Sequence, residues 1–425
     1  RFLEDNGLID PPRIAGPEQR GKRARDEHEM YFRRKPKETA REYLLSVFAE
    51  MRDLPGTKDL FSEHNPVQAR PGWLSGDAAR HLIEFFQKIE DASGALRHDF
   101  TDDSWDTRFL GDLYQDLSAY ARKRYALLQT PRFVQDFILD RTLEPAVEEF
   151  GLKDFRMCDP ACGSGHFLLG GFERILEKWL RAEPGGNSRA LAQKALDGIY
   201  GVDLNPFAAA IARFRLLLAA MRACEIRRMK DAPGFRINIA CGDSLLHGSP
   251  GGDQRLFVGF HALAHTYASE DAQELGRILR PGHYHAVVGN PPYITPKDAA
   301  LNQAYRERYS ACYRSYSLGV PFTQRLFHLA MLGGYVGQIT ANSFMKREFG
   351  KRLIEKFLPT VDLTHVVDTN GAYIPEHGNT LILFGRNQPP VARTVRAVMG
   401  IRGEPGTPDD PARGLVWSAI LAQVD

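Results

Sequence analysis

From about residue 150 the chain alternates short apolar runs with stretches of helical spacing, a rhythm that few folds accept. Candidate strands are 155–160 (FRMCDP), 197–204 (DGIYGVDL), 235–243 (FRINIACGD) and 285–290 (HAVVGN), followed by 334–340 (GYVGQIT), 362–369 (DLTHVVDT) and 380–386 (TLILFGR). Helices are expected at 166–182, 206–224, 322–332 and 345–358. The alternation predicts an α/β fold, a doubly wound, mostly parallel sheet with helices on both faces. Only a loop separates the last two strands, so the sheet is expected to carry an antiparallel edge.

Residues 1 to about 130 read differently, as helical patterns broken by polar and Pro/Gly punctuation. Segments 40–54 and 77–92 repeat apolar residues at spacings of three and four. Segment 18–41 is dense in both charge signs and suits either a solvated linker or a phosphate-contacting arm. The expected division is a helical region at 1–104, an α/β domain at 105–387, and a linker from 388 to 425, where 387–414 looks like loop.

The net charge of +2 over 425 residues names no partner, so any nucleic-acid surface must be local. Five cysteines without a CxxC spacing argue for a reducing cytosol, hence a cytoplasmic protein, and against a disulfide framework or zinc knuckle. The thirteen histidines form no HExxH-like cluster, so no metal centre is expected. There is no signal peptide and no apolar run long enough for a membrane span. A start at Arg1 and a stop shortly after GLVWSAI suggest a piece of a longer protein.

The strand ends carry the chemistry. The first ends in DPACGSGHF, with Asp159, Ala161, Gly163, Gly165 and Phe167 at a turn into a helix. Gly163 and Gly165 let backbone approach a ligand closely, and no Gly-Lys-Ser/Thr follows, which excludes a Walker A loop. His166 within the turn reads as a packing or capping residue. Asp203 ends the second strand about 40 residues later, where a carboxylate can accept both hydroxyls of an adenosine ribose. Phe207 is placed to cover a ring face, or simply to fill core. Asp243, ending the third strand, can accept from the exocyclic amine of a bound adenine. Ligands of open α/β sheets bind at this carboxyl edge.

The fourth strand runs into Asn290-Pro291-Pro292-Tyr293, and two prolines cannot continue a sheet ladder. The lone pair of an aromatic amine is delocalised into its ring. The Asn290 side-chain oxygen and the Pro291 carbonyl can both accept from such an amine, favouring a more tetrahedral and nucleophilic nitrogen. The prolines hold those acceptors rigidly and Tyr293 can stack on the base, a preorganised site.

These residues resemble the γ-type N6-adenine DNA methyltransferases, in which a cofactor motif precedes a catalytic NPPY. The resemblance covers residues 105 to 387. It implies a Rossmann-like class I sheet of seven strands that binds S-adenosyl-L-methionine through DPACGSGHFL, Asp203 and the Thr130-Pro131 pair of a leading helix at 110–139. Its substrate would be double-stranded DNA with the target adenine flipped out of the stack. An aromatic residue of segment 370–380, with Tyr373 as candidate, would meet the flipped base. RFLEDNGLI and WDTRFLGDLYQDL are similar to PglX-like methyltransferases of phage-exclusion (BREX type 2) systems, with DISARM methyltransferases as near neighbours. That likeness implies marking of host DNA, partner proteins of a phage-defence system, and a target-recognition region beginning near residue 388.

Two alternatives remain open on the sequence. One is a glutamine methyltransferase that uses NPPY on an amide nitrogen; the other is a DNA-binding defence subunit that methylates only with partners. Segment 305–317 (YRERYSACYRSYS) interleaves tyrosines with Arg306, Arg308 and Arg314. It suits contacts to phosphates and unstacked bases, or an exposed lid without them.

Overall fold

The computed structural model describes residues 1–16, 19–58, 60–61, 74–90, 93–111, 129–248, 272–375, 377–400 and 403–424. Most of the expected leading helix, at 112–128, lies outside the described residues, as does most of segment 248–254 (GSPGGDQ), which the sequence leads one to expect as loop or linker. The chain divides into two compact units: Arg1–Thr107 with Arg213–Arg236, and Arg108–Ala212 with Ile237–Asp425.

The first unit contains the helices Gln19–Arg34, Ala40–Arg52 and Gly76–Gln87. Thr39 and Glu42 cap the second of these reciprocally, satisfying backbone donors that a helix start leaves open. Its apolar stripe of Tyr43, Leu44, Val47 and Met51 packs with Ile14, Leu74, Ala79 and Ile83. The charged segment read as linker or arm is helix from Gln19 to Arg34. Its Glu27 pairs with Arg13 at 2.7 Å, and Arg13 also reaches Glu50 at 2.8 Å, so the charges tie elements together.

The second unit is built on one sheet. Its strands are β1 (Met157–Asp159), β2 (Ile199–Asp203), β3 (Asn238–Cys241) and β4 (Tyr284–Gly289), then β5 (Ala330–Ala341), β6 (Asp362–Asp368), β7 (Thr380–Arg386) and β8 (Arg396–Met399). They lie in the order β3-β2-β1-β4-β5-β7-β6-β8. β7 runs antiparallel to both β5 and β6, and the other pairings are parallel. All seven expected strands are present. Among the described residues the sheet has eight strands rather than seven, because β8, inside the stretch expected as loop, adds to β6 and takes the edge outside the antiparallel pair. It is four residues long and mostly exposed, and its apolar run Ala397–Met399 is too short to stand out among the prolines and glycines around it.

Helix His166–Ala182 matches its expected span. It lies close to the sheet because Gly171 faces the side chains of Met157 and Ile199, where a methyl group would clash. Gly170 leaves the same kind of room for Gln135 and Leu139 of helix Arg132–Asp140. The expected helix at 345–358 is broken instead, into Ser343–Lys346, two 3-10 turns and a π-helical turn at Leu353–Phe357. Among the described residues no helix is long and apolar enough to cross a membrane.

Segment 305–317, expected as nucleic-acid contact or exposed lid, puts three of its tyrosines into the core and leaves Arg314 exposed. Tyr305, Tyr309 and Tyr316 are buried, and the hydroxyls of Tyr305 and Tyr309 donate to Asp243 Oδ2 at 2.6 Å and to the Leu245 carbonyl at 2.9 Å. Tyr305 lies in the last turn of helix Ala299–Arg308 and Tyr309 follows its last residue, and both belong to the same buried cluster. Helix Gly319–Leu329 sends the buried Arg325 to the carbonyls of Ser244 (2.9 Å), His247 (2.6 Å) and Leu279 (3.0 Å). This guanidinium anchors the turn that follows β3. Arg325→Met should leave those carbonyls without their donor and lower stability by about 3 kcal/mol in denaturant unfolding. A change below about 1 kcal/mol would contradict that anchoring role.

Candidate active site

The parallel strands all finish at one rim of the sheet, and their ends are stitched together. Asp203, at the end of β2, accepts from the backbone N–H groups of Gly163 and Asn205, each at 2.8 Å. Its backbone carbonyl accepts from Gly242 N–H at 2.9 Å, and the Ser244 hydroxyl donates to the Pro160 carbonyl at 2.6 Å. Asp159 Oδ1 accepts from Ala161 N–H at 3.0 Å. The glycine turn between them needs its glycines. Gly163 (φ +54) has open space where a side chain would stand, and Gly165 (φ +88) abuts Ala212 as the next helix begins. A non-glycine residue in either conformation would be strained.

Burial pushes the Asp159 carboxyl up to about 8, against the Ala161 N–H, and the neighbouring Asp203 charge adds to the rise. The Asp203 carboxyl is pushed up to about 6, again by loss of water, with the Asn205 and Gly163 N–H groups opposing. Two carboxyls held above their ordinary range at one strand rim call for hydroxyl donors and positive charge. S-adenosylmethionine carries both, so the residues present fit it.

The other cofactor candidates are less directly placed. Phe207 is half-buried on its helix and Ala161 partly buried, whereas Phe167 is core, 2% exposed. Asp243 is buried, with Oδ1 accepting from Leu245 N–H at 2.8 Å and Oδ2 from Tyr305. His166 is buried beside Ser164, its Nδ1 3.4 Å from the Ser164 hydroxyl.

Asn290 follows β4 directly, and the structure fixes its amide from both sides. The Tyr293 hydroxyl donates to Oδ1 at 2.7 Å. Nδ2 donates to Thr130 Oγ1 at 3.2 Å and lies 3.1 Å from His377 Nε2. Burial pushes the Tyr293 phenol well above its ordinary pKa, so it stays a donor. Pro291 is buried and Pro292 half-buried, leaving the turn little freedom. Gly289, just before Asn290, faces Asp159 Oδ1, 3.5 Å from where its side chain would begin. The carboxylate end of β1 and the amide end of β4 are therefore neighbours.

Thr130, foreseen as a cofactor contact, meets the Asn290 amide, and Pro131 begins helix Arg132–Asp140. Tyr373 stands 40% exposed on the β6–β7 loop. From that loop the side chain brought to Asn290 is His377, which the sequence reading passed over. A usable signal was present: β7 is antiparallel, so the loop entering it must sit at the same rim as the parallel strands' ends. Thr369 and Thr380 pin the loop's neck, their hydroxyls 2.6 Å apart.

The Eco57I restriction-modification methylase family matches residues 197–374. The adenine-specific methyltransferase PglX of Streptomyces coelicolor is 49% identical over 100% of this chain, which covers 37% of that protein. The type II methyltransferase M.PaeR7I of Pseudomonas aeruginosa is 31% identical over 51% of this chain and 32% of its own length. Among solved structures, a nuclease-deletion mutant of the Type ISP restriction-modification enzyme LlaGI, in complex with a DNA substrate mimic, has a TM-score of 0.50 at 13% identity. That alignment covers 100% of this chain and 34% of that one, and supports the fold alone. The chain thus spans 37% and 32% of the length of the two curated relatives. By these matches the chain carries an Eco57I-type methylase domain over residues 197–374 and is similar along its whole length to part of PglX.

Proposed function

We propose that this chain is the catalytic part of a site-specific DNA methyltransferase that acts on the N6 amine of an adenine drawn out of the duplex. The observation that carries the reading is the Asn290 amide, held by Tyr293, Thr130 and His377 beside the carboxylates of the glycine turn. S-adenosylmethionine, when bound, supplies an electrophilic methyl group. Asp203 would hold its ribose, the turn at Asp159, Gly163 and Gly165 its amino-acid end, and Asp243 with Phe207 its adenine.

Asn290 Oδ1 and the Pro291 carbonyl accept from the target amine and aim its lone pair. In this structure the Tyr293 hydroxyl holds Oδ1, so an arriving amine displaces or shares that bond while the ring stacks on the base. Tyr373, exposed at the rim, is the candidate to cover the other face. A base inside a duplex cannot reach such a pocket, which makes extrusion part of the proposal. Exposed Lys346, Arg347, Lys351 and Arg352 follow β5 at the same rim, a local cationic surface that suits phosphates on a chain of net charge +2. The resemblance of RFLEDNGLI and WDTRFLGDLYQDL to phage-exclusion methyltransferases extends the proposal to phage defence alongside partner proteins, with self DNA as the marked substrate.

The test is transfer of labelled methyl by the full-length protein to unmodified DNA, followed by nucleoside analysis. N6-methyladenine should carry the label, and Asn290→Ala should slow transfer at least about a hundredfold. Label on protein, or on cytosine, would contradict the proposal. Cofactor binding should also release protons. A cationic ligand favours the ionised Asp159 and Asp203, so affinity should rise as pH increases through about 6 to about 8. Titration calorimetry in buffers of different ionisation heat measures that release, and proton uptake near pH 7 would contradict it.

A further inference from the structure

The Asn290 amide has two ends that differ in role and hardly at all in shape. Turned by half a rotation it would offer an NH2 group to the target amine, donor against donor. Something must therefore choose its orientation. Tyr293 and Thr130 touch it through hydroxyls, which can donate or accept, so neither of them discriminates. The third contact is a ring nitrogen, His377 Nε2, 3.1 Å from Asn290 Nδ2.

The tautomer of His377 follows from its other nitrogen. Nδ1 lies 2.9 Å from the Pro375 carbonyl, which can only accept, so Nδ1 carries the hydrogen. In the neutral ring Nε2 is then a lone pair. It accepts from an amide N–H and repels an amide oxygen. His377 is 9% exposed, and its backbone N–H donates to the Ile374 carbonyl at 3.1 Å, which closes a turn around the ring. The ring also stands edge-to-face with Tyr293, centroids 6.1 Å apart.

We propose that His377 is a positioning residue for the methyl-transfer reaction: locked as the Nδ1–H tautomer by Pro375, it accepts from Asn290 Nδ2 and turns Asn290 Oδ1 toward the target amine. The proposal rests on the reading of Asn290 as amine acceptor. His377 itself need not touch the base. Its contribution is to remove the reversed amide, which would bind DNA and cofactor equally well and yet present the wrong group.

Two substitutions separate this role from packing. His377→Phe keeps an aromatic ring against Tyr293 and removes the acceptor, whereas His377→Gln returns an acceptor oxygen near the position of Nε2. In the full-length protein, on DNA bearing its mapped target, His377→Phe should lower kcat roughly ten- to hundredfold. KM for DNA and cofactor affinity should stay within about twofold of wild type. Fluorescence of 2-aminopurine at the target position, a readout of base extrusion, should be unchanged. His377→Gln, whose amide can also turn its NH2 group to Asn290, should recover part of the lost kcat.

A His377→Phe enzyme with kcat within about twofold of wild type would overturn the proposal. So would a His377→Gln enzyme as slow as His377→Phe while both melt and bind cofactor like wild type. Transfer that stops with Asn290→Ala yet ignores His377→Phe removes the His377 role alone. Transfer that survives Asn290→Ala removes the functional reading beneath it.

Discussion

The pairing of β1 with β4 is the constraint on which the site depends. Met157 lies opposite Ala286 and Cys158 opposite Val287, so the two strands end side by side. The chain reaches this pairing by walking outward from β1 to β2 and β3, then crossing back to β4 on the other flank. Where the order reverses, the loops leaving β1 and β4 turn to opposite sides and open a crevice. One wall of that crevice is the glycine turn with its two acids. The other is the Asn290-Pro291-Pro292-Tyr293 turn. A one-residue slip would exchange the faces of β4 and move Asn290 away from Asp159.

Electrostatics at the rim reinforces the geometry. Asp159 and Asp203 are held by backbone N–H groups in places where an ionised carboxyl is costly. Such perturbed groups often mark sites where a ligand supplies what the fold withholds. Across the crevice, Asn290 is neutral but directional, with its nitrogen and oxygen held by different partners. The first wall suits a cation with hydroxyls; the second suits an amine that must be turned.

Much of this was legible in the sequence because the signals were local. Seven strands announced themselves as apolar runs between helical stretches, and the ends of the first four carried their polar groups at the rim. What escaped notice depended on distance along the chain or on weak patterns. The bonds that fix Asn290 span 160 residues to Thr130 and 87 to His377, and no spacing rule joins such positions. Helix Gln19–Arg34 has few apolar residues and is tied partly through the ion pairs of Arg13. The tyrosines of 305–316 looked like a nucleic-acid surface because arginines lie between them. Tyr305, at the end of helix Ala299–Arg308, and Tyr309, just past it, instead fill core and bond Asp243 and the Leu245 carbonyl.

The central claim is that cofactor and target amine are bound on adjoining strand ends. The most direct measurement is the affinity of a bisubstrate ligand, an adenosine cofactor half joined by a short linker to the N6 atom of an adenine within DNA. If the two walls form one crevice, the joined ligand should bind at least about a hundredfold tighter than either half, and both Asp203→Ala and Asn290→Ala should weaken it. Binding no tighter than the better half alone would contradict the account.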